Sequence, residues 1–313
     1  TAANVAQRLI SQNDCVAFLG AFASSLTLAI SEVTERRGIP FLTMSFADQI
    51  TGRGFKNIFQ VVSKASVIGR AQFDYALQIA EAAGEKVSRA AIMYEDTAYG
   101  TSQAKGLRAA AEEAKVELVM DDAYPLGITD VTPLITKLRS SDAQMVFPVS
   151  YLNDSLLIIR TMRQQKIDIP AIGGAAGYVI PDFVKGLGEY SEDVMSISPG
   201  SHDLAAEMTK RFETKYGYFM VHEALEHAVC MGVLAEALEL AKSAQPAKVR
   251  DVLASKRFTA GWSTALTGAV QFDSTGLNTL AKPVMVQWRK GTLSTIWPKD
   301  LARTPARWKG KTI

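Results

Sequence analysis

The sequence runs to 313 residues, 48% of them hydrophobic and 21% charged, with a formal net charge of +2 and its lysines and arginines spread along the chain. That length accommodates two domains with separate cores, and without a basic stripe there is no footprint for nucleic acid. Apolar runs such as 90–94 and 145–149 are far too short to span a bilayer and fit buried strands instead.

Along the chain, short apolar, β-rich runs alternate with amphipathic stretches. Strands are predicted over 15–19, 39–44, 58–62, 90–94, 116–120, 143–149, 169–173 and 194–198. Helices are predicted over 24–37, 66–83, 101–115, 131–139 and 152–165. Gly38 and Gly84 sit where helices end on glycine, and Asp130 is placed to cap the helix after it. Such alternation indicates parallel βαβ units, an α/β doubly wound fold. After residue 198 the rhythm changes: helices over 202–216 and 223–242, a shorter one after Pro246, then antiparallel strands over 268–272 and 283–288, the second leading to Gly291. The tail from Pro298 reads as an irregular surface strap. Cys15 and Cys230 lie far apart in apolar runs, as buried thiols would, with a disulfide the alternative.

Chemistry is expected where strands run into helices. Gly20-Ala21-Phe22-Ala23-Ser24-Ser25 follows a strand and opens a helix, so free amides, two hydroxyls and the helix dipole converge on one spot suited to an anion. A capping serine without a ligand is the plainer reading. Ser45-Phe46-Ala47 ends the next strand, and strand carboxyl ends line ligand crevices in parallel sheets. Glu95-Asp96 lies in a similar loop, where no further residue has metal-ligand spacing. Tyr99 and Tyr151 read as wall residues with a polar tip. The loop Gly173-Gly174-Ala175-Ala176-Gly177 lacks the G-x-G-x-x-G order of a dinucleotide site. His222 and His227 are five apart, off the spacing of a metal pair, and Glu223 and Glu226 share a face expected to be solvated. No catalytic motif, cofactor site or metal site is expected.

Four stretches together resemble one family. They are residues 1–43, 92–106 (IMYEDTAYGTSQAKG), 133–163 with its strand and tyrosine, and the ending TGAVQFDSTGLNTLAKPVMVQWRKG. The chain resembles the type I periplasmic solute-binding proteins of the branched-chain amino acid class, over nearly its whole length. The resemblance implies two Rossmann-like lobes with a ligand cleft between them. It puts residues 1–62 and 199–285 in lobe I and 63–198 and 286–313 in lobe II, and it starts the chain in a helix. A strand, a helix and a second strand that open such proteins are absent from this sequence.

By the same resemblance a ligand carboxylate meets Ala23, Ser24 and Ser25. Ser45, Phe46 and Ala47 face its amino group, and Tyr99, Tyr151 and Ala176 come from the second lobe. Two departures bear on the ligand. The family's hydroxyl falls on Ala47, and the glutamate that pairs with the ligand ammonium falls on Ala175-Ala176. A carboxylate-bearing ligand without a free α-amino group is therefore expected; Glu223 or Glu226 as a substitute charge would restore a branched-chain amino acid. The implied role is a monomeric, periplasmic (or lipid-anchored extracytoplasmic) receptor that closes on its ligand and docks on the membrane permease of an ABC transporter. A sensor of the same fold and a cleft enzyme are the competing readings.

Overall fold

The computed structural model describes residues 1–313. In chain order its first elements are helix α1 (Ala2–Gln12), strand β1 (Phe18–Leu19), α2 (Ser24–Arg37), β2 (Phe41–Thr43) and β3 (Ile58–Gln60). Next come α3 (Ala65–Ala82), β4 (Arg89–Glu95), α4 (Ala98–Glu113), β5 (Glu117–Tyr124), α5 (Thr132–Ser140), β6 (Met145–Val149), α6 (Leu152–Gln164), β7 (Ile172–Gly173), α7 (Pro181–Leu187) and β8 (Met195–Ser198). The remainder is α8 (Ala206–Tyr216), α9 (His222–Ala241), α10 (Pro246–Ser255), β9 (Arg257–Phe258), β10 (Val270–Gln271), β11 (Val284–Arg289), β12 (Thr292–Trp297), β13 (Arg307–Trp308) and β14 (Lys311–Thr312). None of the helices is long and apolar enough to cross a membrane.

Every expected strand of the alternating region is present, and the helix stops work as read. Gly38 ends α2 in the left-handed region at φ 66°, and Gly84 follows α3 at φ 80°. Asp130 accepts the Thr132 amide at 2.9 Å, although Val131 is the formal cap. Strand β5 runs on to Tyr124, past the expected 120, because its acidic residues find partners: Asp121 meets Arg108 at 2.6 Å and Asp122 meets Lys137 at 2.7 Å. The expected helix over 202–216 breaks at Ala205 (φ −116°, ψ 50°), leaving a 3₁₀ turn before α8. Lys290 and Gly291, both left-handed, make a tight turn, so a second strand, β12, follows where the sequence reading stopped.

Contacts divide the chain into two units, Thr1–Lys64 with Glu223–Lys282 and Ala65–His222 with Pro283–Ile313. The segment 199–222 thus falls with the second unit, where the sequence reading had given it to the first lobe. The cause is visible. The Asp203 carboxylate accepts the Thr295 amide at 2.7 Å and its hydroxyl at 2.6 Å, and Phe219 packs on Trp288, ring centres 6.0 Å apart. The crossover expected near Val286 falls earlier because β11 pairs with β8 from Val284 onward.

In the first unit β1, β2 and β3 form a parallel sheet, and β9 and β10 a separate antiparallel pair. Its core gathers Phe41, Phe59, Leu225, Val229, Phe258 and Phe272, with Phe59 edge-on to Phe272 at 5.1 Å. Cys15 and Cys230 are both free thiols; Cys230 is buried as expected, whereas Cys15 is only half-buried. In the second unit β5-β4-β6 continues through the Val146–Ala171 bridge into β7-β8-β11-β12, parallel until β11 and antiparallel after it. Helices α5, α6 and α7 share a core with this sheet around Ile158, Phe183 and Trp288. Helices α3 and α4 pack on each other so closely that a Cβ on Gly69 would lie 2.2 Å from the Gln103 carbonyl oxygen, and one on Gly106 would lie 1.9 Å from that of Ser66.

Candidate functional site

The first unit presents its candidate residues at the carboxyl ends of β1 and β2. Ser24 and Thr27, three apart on α2, share the helix face turned toward β2, and both are buried. The Ser24 Oγ accepts the Phe46 amide at 3.3 Å and the Ala47 amide at 3.1 Å, drawing the two predicted segments together. Neither serine caps the helix: Ala23 occupies that position in an extended conformation with no side-chain bond. The amides of Ser24 and Ser25 are therefore the open N–H groups of a helix start, at the positive end of its dipole. The buried Ser24 hydroxyl, an acceptor for two amides, ties the start of α2 to the segment after β2. Ser25 is exposed.

Ser45 is bonded within the first unit. Its buried Oγ donates to the Ala21 carbonyl at 2.6 Å and lies 2.6 Å from Thr27 Oγ1, which in turn is 3.3 Å from Thr43 Oγ1. Its carbonyl accepts Gln60 Nε2 at 2.8 Å. The hydroxyl thus fixes the Gly20–Ser25 turn from within. Sequence reasoning missed this clamp because Thr27, Thr43 and Gln60 look like ordinary helix and strand residues until the fold brings them together.

The second unit gathers Tyr99, Tyr151 and Ala176 at the ends of β4, β6 and β7. Tyr99 is buried, its ring 5.4 Å from that of Tyr151, and its hydroxyl donates to the Gly174 carbonyl. Glu95, read from sequence as a loop acid, is fully buried. It accepts the Thr97 amide at 2.7 Å, the Gly100 amide at 2.6 Å and the Thr97 hydroxyl at 2.9 Å, closing the start of α4. Gly100 has to be glycine, since a Cβ there would stand 2.0 Å from the Glu95 carbonyl oxygen. Beneath Tyr151, Ser150 Oγ joins Tyr124 (2.7 Å) and Tyr178 (2.8 Å). Burial pushes all four phenols, at positions 99, 124, 151 and 178, upward, so they stay neutral and serve as hydrogen-bonding walls.

Asp154, one turn into α6, accepts the Tyr151 amide, and its other oxygen has no partner. Burial, then the nearby charge of Glu95, raises its pKa to about 6. An acid three residues after a helix cap is a legible signal; sequence reasoning passed over it. Glu226, expected on a solvated face, is fully buried in the first unit, and its charge adds to the burial that pushes the Cys230 thiol up. His227 Nδ1 lies 2.8 Å from the Glu223 carbonyl oxygen on its own helix, and His202 packs on Phe219 at 4.8 Å.

Residues 1–292 match a family model described as periplasmic binding protein. A Leu/Ile/Val-binding protein homolog 7 from Brucella abortus is 30% identical over 96% of this chain and 79% of its own length. Two solved structures share the fold. One is a branched-chain amino acid transporter substrate-binding protein from Streptococcus pneumoniae in complex with isoleucine, with TM-score 0.81, 22% identity and 95% and 84% of the two chains covered. The other is an ABC transporter solute-binding protein from R. palustris in complex with benzoate, with TM-score 0.78, 18% identity and 94% and 80% covered. Two α/β units with site residues at strand carboxyl ends fit that kinship. The chain belongs to the periplasmic binding protein family, with the type I fold of solute-binding receptors for branched-chain amino acid ABC transporters.

Proposed function

We propose that this protein is the extracytoplasmic capture component of an ABC importer, and that its ligand is a small organic acid with an apolar body and no free α-amino group. One observation carries the ligand class: the donors and acceptors on the first unit are unequal. The first unit offers the Ser24 and Ser25 amides at the start of α2 and the exposed Ser25 hydroxyl, all donors suited to a carboxylate. Ser45, the expected partner of an ammonium, already makes hydrogen bonds through its hydroxyl and its carbonyl inside the protein. Ala47, Ala175 and Ala176 bring no polar side chain. Desolvating an ammonium without a partner costs several kcal/mol, on the order of 2–7 even for a neutral polar group.

The carboxylate is held on the first unit, and Tyr99, Tyr151 and Ala176 of the second close over the apolar body. Contacts to both units supply the differential affinity that shifts the population to a closed form for a permease to recognise. The benzoate complex of the R. palustris protein supports the feasibility of such a ligand in this fold.

A thermal-shift series with benzoate, an aliphatic monocarboxylate, leucine and isoleucine tests the proposal. An acid at a hundred times its Kd is expected to stabilise by about 2.7 kcal/mol, several degrees in Tm, with no shift from the amino acids. Stabilisation by leucine or isoleucine alone would overturn it and turn attention to Glu226.

A further inference from the structure

The tail from Pro298, read from the sequence as an irregular surface strap, folds back on the edge strand of the second unit. The Leu301 amide donates to the Pro298 carbonyl at 3.0 Å, reversing the chain. The Thr295 carbonyl on β12 then accepts the Arg303 amide at 2.8 Å and the Thr304 amide at 3.3 Å. Between strap and strand lies a pocket of about 430 Å³, a size that holds a small molecule. Strands β11 and β8 stand between β12 and β7, so the pocket is separate from Tyr99, Tyr151 and Ala176.

Its lining divides by chemistry. Ile296, Trp297, Ala302 and Ala306 supply an apolar wall, Lys299 and Arg303 supply positive charge, and no lining side chain is acidic. The indole is fixed, since Trp297 Nε1 donates to Gln78 Oε1 at 2.7 Å. The Lys299 ammonium stands 5.3 Å from the centre of that ring. Other cations of the strap have acids: Arg307 meets Asp193 at 3.1 Å and Lys309 meets Glu85 at 3.4 Å. Lys299 and Arg303 form no such pair. Arg303 Nε donates to the Asp203 main-chain carbonyl at 3.3 Å, while the Asp203 carboxylate is taken by Thr295. Asp300 lies toward α3, where, after burial, its charge raises the Tyr75 phenol. Two exposed cations without a counter-charge, set on one apolar wall, suit an anion that carries an apolar body.

We propose that this pocket is a second binding site, for an amphipathic monoanion of the medium-chain carboxylate class. Its acid group meets Lys299 and Arg303, and its chain lies along Trp297, Ala302 and Ala306. The site is built within the second unit alone and does not rest on the ligand class proposed above.

The test uses the full chain and 8-bromooctanoate, whose bromine quenches a tryptophan that it touches. In low-salt buffer the emission is expected to fall along a curve that saturates below about 1 mM, and Trp297→Phe is expected to remove most of that fall. The double variant Lys299→Gln, Arg303→Gln should weaken binding about tenfold, and 8-bromooctanol should bind the wild-type protein about tenfold more weakly than the acid. Both replaced side chains are exposed, so the double variant should keep the wild-type Tm; if it does not, wild-type protein titrated at low and at about 1 M salt decides, with weakening by salt expected. Absence of saturable quenching would overturn the proposal. Quenching that persists in Trp297→Phe, with an affinity unchanged in the double variant, would place the acid elsewhere and overturn it equally. The alcohol binding as tightly as the acid, or indifference to salt, would remove the two cations from the site.

Discussion

The second unit flanks its central strands on both sides and buries all but one residue of β11, whereas in the first unit β1 pairs with β2 alone and both its residues are only half-buried. Beside β1, Val5, Leu9 and Leu26 are 47%, 40% and 47% exposed. Strands β2 and β3, one position inward, are buried throughout. The turn from Gly20 to Ser25 therefore follows a short, half-buried strand. Its geometry comes from a side-chain clamp, Ser45, Thr27 and Thr43 backed by Gln60, as the start of α4 in the second unit is held by Glu95.

That contrast can be broken at three places. The largest effect is expected at Trp288, fully buried, stacked on Phe183 at 6.1 Å and donating Nε1 to the Tyr178 carbonyl at 2.7 Å. Trp288→Ala should cost about 3–5 kcal/mol in urea unfolding; a cost below about 1 kcal/mol would mean that the second unit does not depend on its shared core. The next concerns pH. Asp154 keeps its proton to about pH 6 in the folded protein, against 3.8 ordinarily. Between those values the folded state holds the extra proton, so stability falls as pH rises through the window. Asp154→Asn should flatten the dependence of the urea midpoint between pH 4 and 6.5, and an unchanged slope would assign it to other groups. The smallest effect is expected in the first unit, where Leu26→Ser should alter stability by no more than about 0.5 kcal/mol. A larger loss would show that the β1 side is covered in solution.

Much of this fold is legible in the sequence, because period and punctuation are local. The 24–37 stretch starts and stops where α2 does, and the expected strands 58–62 and 143–149 each contain the observed one. What was hidden depends on distant partners. Asp203 interrupts a helical pattern because Thr295, far along the chain, captures its carboxylate, and that same bond carries 199–222 into the second unit. The candidate residues divide similarly. Ser24 and Tyr99 stand at strand-to-helix junctions, a position readable from pattern alone. The inward turn of Ser45 and the left-handed backbone of Ala175 are set by neighbours that no spacing rule connects.

The glycine contact between α3 and α4 has a last consequence. With Gln103 and Ser66 carbonyl oxygens where the missing methyls of Gly69 and Gly106 would go, the two helices have no spare clearance. Their spacing works as a gauge: α3 meets β8, and α4 carries Tyr99 from its first turn, so a wedge at either glycine would be felt at Tyr99 without touching it. In a library of random substitutions these two sites should return empty, marking the second unit's alignment as closed to drift.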